Sequence, residues 1–259
     1  PQQQVIESDA WVRVVRWGRR GGKTLLAGIE AAFVLLQDRK RVWVVAPGHD
    51  LTGRVWEVIT RVLCEDLGFE PTSRRNSPPY SLAFAWGSVC EGKSTEYGAR
   101  KSLVGAELDF LVWDEVAKSP PGIWETRMHP GLGGKDHRGR ALLISTPEGY
   151  NHFHLLCQRG EDDQDWEAFH AKSEDNPHLD RDIIEEARRT YTRETFAQEW
   201  EALFTAFAGQ VYKEFREEVH ATDCPYNPEL PLYGAVDFGV TNPFVWLWIQ
   251  VTSGDVVRV

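Results

Sequence analysis

Two pairs of residues in this sequence have types and surroundings suited to joint chemistry: Lys23-Thr24 behind a run of glycines, and Asp114-Glu115 at the end of an apolar stretch. The first pair closes Gly18-Arg19-Arg20-Gly21-Gly22-Lys23-Thr24. Glycines allow several backbone N–H groups to converge on an anion, and a helix beginning at once adds the positive end of its dipole. In such a loop the lysine reaches the β- and γ-phosphates of a nucleotide and the threonine hydroxyl holds Mg²⁺. One residue departs from the usual spacing. The pattern places a glycine six positions before the lysine, where Trp17 stands, and the glycine has moved to Gly18.

The second pair ends Phe110-Leu-Val-Trp-Asp114-Glu115. An apolar strand finishing in two carboxylates suits the metal side of a phosphate site: Asp114 to bind Mg²⁺, Glu115 to orient and deprotonate a water. Water as nucleophile means hydrolysis. A third segment, Ile144-Ser145-Thr146-Pro147, puts hydroxyls at the end of the next apolar run, where they can sense a terminal phosphate. Taken singly, each segment also reads as an ordinary surface turn or strand end. Their order, with alternating elements between them, is what joins them.

Those elements must bring the segments together. Trp11–Val15 reads as a strand and Leu25–Leu36 as a helix; Arg41–Ala46 is a second strand, stopped by Pro47-Gly48, and Leu51–Leu67 a second helix. Tyr80–Trp86 and Val89–Glu91 flank Gly87-Ser88 as a hairpin. Phe110–Trp113 and Ala141–Ile144 are short apolar runs of the kind buried on both faces of a parallel sheet, with a glycine-rich loop from Gly131 to Gly139 between them. After Pro147 the pattern predicts a helix to Gln158, a strand over Trp166–His170, and one or two helices over Leu179–Phe204 with Phe196, Trp200, Leu203 and Phe204 on one face. Pro225, Pro228 and Pro231 mark a linker, and Tyr233–Phe238 and Phe244–Val251 two further strands. The expected fold is therefore α/β, a P-loop NTPase with a mostly parallel sheet flanked by helices.

Composition narrows the classes. A net charge of −10 argues against a protein that coats nucleic acid along its whole surface, while local clusters such as Arg13, Arg16, Arg19 and Arg20 leave contact by one face open. No apolar run has the length of a membrane span, and the first residues lack the pattern of a signal peptide. The cysteines at 64, 90, 157 and 224 are scattered without a CxxC pair, which suits reduced thiols rather than zinc. His129, His152, His154 and His170 have no ligand spacing.

Together these residues resemble the large subunit of the terminase of tailed bacteriophages, the ATP-driven motor that packages viral DNA. Gly18–Thr24 is similar to that family's arginine-bearing Walker A, Leu111-Val-Trp-Asp-Glu115 to its Walker B with catalytic glutamate, and Ser145-Thr-Pro147-Glu-Gly149-Tyr-Asn151 to its coupling motif. Thr195-Phe-Ala-Gln-Glu-Trp200 and Ala235-Val-Asp237-Phe-Gly239-Val-Thr-Asn-Pro243 are looser matches, the latter to the first strand of an RNase H-like nuclease whose Asp is a metal ligand. The resemblance implies an ASCE/RecA-like ATPase core over 1–150, a lid or linker subdomain over 151–224, and a linker with the first hairpin of a nuclease domain over 225–259. It implies ATP and Mg²⁺ as cofactors, with Lys23, Arg20 and Glu115 catalytic and Thr24 and Asp114 on the metal. Double-stranded DNA bound without sequence preference, a portal protein and a small terminase subunit are the implied partners. The assembly would be a homo-oligomeric ring with no membrane association, in the cytoplasm of the infected host at the procapsid portal, with a monomer expected of the isolated chain. The rivals are a helicase-like ATPase and a non-catalytic nucleotide-binding scaffold.

Three expectations concern departures from the family. Asp255 alone follows Asp237, so the nuclease is expected to be incomplete and the chain a truncated piece. The triplet that carries an arginine finger in many relatives reads Leu103-Val104-Gly105, which leaves Arg20 in cis, then Arg100 or Lys101, with Arg138 and Arg140 as outsiders. Two arginines in the loop have no evident packing reason. Finally, Gln3 and Gln4 resemble an adenine-reading segment, the other reading being a frayed terminus.

Overall fold

The computed structural model describes residues 1–96, 98–134, 138–205, 223, 225–238, 245–252 and 257–258. The chain divides into two units, Pro1–Gly209 and Gln210–Val259.

The larger unit opens with a short helix, α1 (Gln2–Glu7), and strand β1 (Val12–Trp17). Helix α2 (Lys23–Leu35), strand β2 (Arg41–Ala46) and helix α3 (His49–Thr60) follow. A π-helical turn, Arg61–Asp66, extends α3. Strands β3 (Ser73–Arg75), β4 (Ser81–Ala83) and β5 (Val89–Ser94) form an antiparallel edge. Then come β6 (Phe110–Asp114), β7 (Arg140–Ser145), helix α4 (His152–Asp162) and β8 (Trp166–Ala171). Helices α5 (Arg181–Thr190) and α6 (Arg193–Glu199) complete the unit.

The eight strands form one sheet in the order β3-β4-β5-β2-β6-β7-β1-β8, parallel from β5 to β8. Strand β7 thus lies between β1 and β6. The carboxyl ends of these three strands, carrying Trp17, Ser145 and Asp114, come out side by side. A crevice outside the carboxyl ends of parallel strands is where open α/β sheets bind ligands.

Alternation along β1 explains how the sheet fills both faces. Val12 and Val14 join a core with Trp43, Trp113, Phe153 and Trp166, while Val15 and Trp17 join the opposite core with Leu26, Ala31, Trp56 and Ile59. Arg13 sits among the apolar residues of β1 yet is only 2% exposed. Its guanidinium forks onto the Glu30 carboxylate of α2 and donates to the Val5 carbonyl of α1 at 2.7 Å. A buried charge survives when it is paired and hydrogen-bonded in this way. The same group ties down the N-terminal helix.

The expected strands and helices appear with shifted ends. Strand β8 adds beside β1, pairing Val12 with Trp166 through Trp17 with Ala171. Helices α5 and α6 close a small core of Ile184, Ala187, Phe196 and Trp200. Leu203 and Phe204 do not share that face: Leu203 is exposed, and Phe204 turns to His154 and to Arg16, whose guanidinium carbon is 4.8 Å from its ring centroid. The helix ends after Glu199, so the helical period no longer governs them.

In the second unit, β9 (Tyr233–Asp237), β10 (Val245–Val251) and β11 (Val257–Arg258) form an antiparallel sheet. Gln250 staples its preceding loop through Asn227 and Leu230. Cys224, Gly239–Pro243 and Asp255 lie outside the described residues, as do Lys135–His137 of the glycine-rich loop. Among the described residues no helix is long and apolar enough to cross a membrane.

Candidate active site

The loop after β1 wraps the start of α2. Arg20 and Gly22 both take left-handed conformations (φ 57° and 87°), which bend the loop sharply just before α2 begins at Lys23. Gly18 has a packing reason to occupy its position. A Cβ there would collide with Ser173 Oγ and the Trp200 carbonyl, whereas Trp17, where the usual pattern has glycine, is a core side chain 1% exposed. The displaced glycine therefore admits the segment that follows β8.

That segment grips the loop. Gly18 N donates to Ala171 O at 3.0 Å, Arg19 N to Glu199 O at 2.7 Å, Ser173 Oγ to Arg19 O at 2.6 Å and Asn176 Nδ2 to Arg20 O at 2.7 Å. The Arg19 side chain pairs with the Glu199 carboxylate, which raises the arginine's pKa further. Arg19 thus has the packing role that the sequence did not suggest. Arg20 remains exposed at the cavity rim.

Lys23 is buried, and its ammonium donates to Trp17 O at 2.7 Å, Gly18 O at 2.9 Å and Thr146 Oγ1 at 3.2 Å. Burial lowers its pKa to about 8, against the opposing pull of Glu115 and Asp114. Asp114 is 3% exposed, and burial first, then the neighbouring Glu115 charge, pushes its pKa up to about 7. Its Oδ1 accepts from Glu115 N at 2.8 Å. Glu115 adopts φ 49°, a strained turn for a side chain with a Cβ, directly where the strand ends.

The third segment braces this turn. Ser145 Oγ accepts from Ala117 N at 3.2 Å and donates to Thr146 O at 2.8 Å. Asn151 Nδ2 donates to Ala117 O at 2.9 Å, and His152 Nε2 lies 3.0 Å from Val116 O. Gly149 N donates to Gln198 Oε1 of α6 at 3.0 Å, so the same stretch touches the acidic turn and the far helix.

Between these walls lies a cavity of about 650 Å³, lined by Arg19–Leu25, Glu115, Thr146, Pro147 and residues of α6. Its volume is of the order a nucleotide requires. Lys23, Thr24, Glu115, Thr146 and Pro147 are brought together as the sequence suggested. Lining residues that the sequence did not single out are Arg54 of α3, whose charge acts on Asp114, and Lys118. Arg54 had no local signal, being one polar position on an amphipathic helix. Gln198 and Glu199 do lie in the Thr195–Trp200 segment singled out above.

Other residues go elsewhere. Gln3 Nε2 donates to Glu7, and Gln4 lines a separate cavity beside Trp17 and His170. It is the Gln2 amide that a Cβ on Gly22 would meet. Arg100 Nε donates to Thr95 O at 2.9 Å, and nothing is described of the Lys101 side chain. Arg138 and Arg140 stand at the opposite end of the sheet, on Asp165 and on the Ser8 and Ala10 carbonyls. Asp237 ends β9 in the second unit, exposed.

The donors suit magnesium. Among the described residues no three His, Cys, Asp or Glu side chains converge into a metal cage. Mg²⁺ takes one or two protein oxygens and completes its shell from substrate phosphates and water, so a carboxylate and a hydroxyl such as those of Asp114 and Thr24 would be enough to hold it.

A model of the N-terminal region of T4likevirus-type large terminase subunits matches residues 16–219. The chain belongs to the large terminase subunit family. The terminase large subunit of Escherichia phage T5 is 35% identical over 209 residues, covering 79% of this chain and 46% of that protein. The chain thus spans about half the length of such relatives. The large terminase ATPase domain of Thermus phage P74-26 superposes with a TM-score of 0.63 at 30% identity, over 79% of this chain and 92% of that domain. The large terminase of another thermophilic bacteriophage, solved with ADP, gives 0.67 at 16% identity over 98% of this chain and 65% of its own, a likeness of fold. The terminase match covers every segment of the cavity wall from Gly18 to Trp200.

Proposed function

We propose that this terminase chain hydrolyses ATP in the cavity between β1, β6 and β7 and that hydrolysis drives double-stranded viral DNA into a procapsid. One observation carries the reading: a buried lysine and a glutamate at a strained strand end face one nucleotide-sized cavity, with the buried Asp114 adjoining that glutamate and Lys23 already bonded to Thr146. The P74-26 relative, an ATPase domain by description, supports the reaction class.

Each residue then has a task. Backbone N–H groups at the start of α2 and Lys23 bind the β- and γ-phosphates, and Glu115 orients a water and takes its proton. Mg²⁺, held by Thr24 and Asp114, would neutralise charge developing on the phosphates. Arg20, at the rim and free of Glu199, stabilises the transferred group in cis. Binding of phosphate draws Lys23 off Thr146, and the change passes along Ser145–Gly149 to α6 through the Gly149–Gln198 bond.

Residues 1–150 act as the ATPase core, 151–224 as the lid and 225–259 as the beginning of a nuclease domain in which Asp237 is one metal ligand. A ring of subunits on a portal, recruited with a small terminase subunit in the host cytoplasm, would contact DNA through backbone phosphates. A scaffold that merely holds ATP has no use for Glu115. The test is phosphate release from ATP. Glu115→Ala should cut turnover by on the order of 10²-fold or more while nucleotide affinity stays unchanged; undiminished turnover rejects the assignment.

A further inference from the structure

Lys118 faces the cavity without a task in the scheme above. It ends the 3₁₀ turn Val116–Lys118 that starts at Glu115, and its backbone N–H donates to the Glu115 carbonyl at 3.0 Å. That geometry brings its side chain back over the strand end. The ammonium lies 3.0 Å from Glu115 Oε2. This oxygen is buried and receives no hydrogen bond among the described residues, so the ammonium's charge is what holds it.

The base of Lys118 is rigid. Ser119, the next residue, is 4% exposed and accepts from Trp113 Nε1 at 3.0 Å and Thr95 Oγ1 at 3.2 Å, while its N–H closes the turn on Val116 O at 2.9 Å. The anchoring starts in β6 itself, one residue before Asp114. Across the cavity, Lys23 and Arg19 both feel the Glu115 charge. A carboxylate on a short strained turn, pulled by two cations on the phosphate side, needs a counterweight to stay aimed at a water.

We propose that Lys118 is the positioning residue for Glu115: it fixes one carboxylate oxygen against the acidic wall and leaves the other free to accept the water's proton. The inference rests on the proposed hydrolysis. Lys118 sits on the Glu115 side and leaves the loop that binds the triphosphate untouched, so its loss acts on turnover and spares binding.

The experiment measures kcat, KM and ATP affinity for the full chain and for Lys118→Met, Lys118→Arg, Glu115→Ala and the Lys118→Met/Glu115→Ala double variant. Lys118→Met should lower kcat by roughly tenfold, the scale of a misplaced reacting group, with affinity unchanged. Lys118→Arg, which keeps the charge, should restore most of it. In the Glu115→Ala background, Lys118→Met should cost nothing further, because there is no carboxylate left to position. The inference falls if Lys118→Met turns over like the unaltered chain, if kcat and affinity fall together, or if the loss persists without Glu115. Should Glu115→Ala itself retain full activity, the proposed hydrolytic site fails, a result distinct from any of these. Lys118 is about half exposed, so its replacement leaves the core intact.

Discussion

The two ends of the parallel sheet use the same strands and treat charge in opposite ways. At the amino ends the charged groups are paired, whether part-buried or exposed. Lys40 pairs with Asp109 at 2.9 Å, Asp109 also accepts from Arg41 N, and Arg138 pairs with Asp165 while its guanidinium carbon lies 4.3 Å from the Trp11 ring centroid. Arg140 donates to two carbonyls. At the carboxyl ends, burial instead holds Lys23 down to about 8 and Asp114 up to about 7, each against its natural charge. Ions have partners at both ends, and burial also lowers the Arg140 pKa, but an arginine keeps its charge. Only at the carboxyl ends are a lysine and a carboxyl drawn toward neutrality. Titratable groups held away from their ordinary pKa in a cleft mark the functional end.

The contrast can be broken in graded ways. The largest effect is expected from Arg20→Ala at the carboxyl end. It should reduce turnover by on the order of 10³-fold with affinity little changed, as removal of a transition-state arginine does. Equal losses in rate and affinity, measured by steady-state kinetics and nucleotide titration, would make Arg20 a binding residue only. Turnover strictly proportional to protein concentration would support action in cis, and a steeper dependence would bring the arginine from a second molecule.

A smaller effect concerns stability without nucleotide. The pKa of Asp114 is raised above its unfolded value, so the native state holds this proton more tightly, and the stability it contributes at low pH is lost as pH rises from about 4 through about 7. Asparagine has no such proton to lose and can still accept from Glu115 N. Asp114→Asn should therefore melt higher than the unaltered chain by about 3 °C or more above pH 7, with the advantage shrinking as pH falls toward 4.5. An advantage independent of pH, read by thermal denaturation, would mean burial does not perturb this carboxyl. The smallest effect on activity belongs to the amino end. Arg140→Ala should leave turnover unchanged and cost about 1–2 kcal/mol of stability, since it strips partners from two carbonyls; a loss of turnover would contradict the division between the ends.

What was legible in the sequence was local. Gly18–Thr24, Phe110–Glu115 and Ile144–Pro147 each carry strand, turn and chemistry within a few residues, and the alternation of apolar runs with helices is enough to align the three strand ends. Contacts between distant segments left no such trace. The Arg19–Glu199 pair joins residues 180 positions apart, and nothing near Gly18 announces that Ser173 and Trp200 will press against it. The burial of Arg13 depends on Glu30, which a strand pattern read alone does not register. Lys118 was concealed for another reason. On a helix-like turn after an acid, a lysine three residues on reads as an ordinary surface pair, and only the cavity beside it changes the meaning.

The central claim is that one triphosphate is gripped by both walls of this cavity. The most direct test is a crystal structure with Mg²⁺ and a nonhydrolysable ATP analogue. The account predicts the terminal phosphate on Lys23 Nζ, Lys23 released from Thr146, and the metal on Thr24 and Asp114. A nucleotide lodged elsewhere, or phosphates that leave Lys23 on the Trp17 and Gly18 carbonyls, would contradict it.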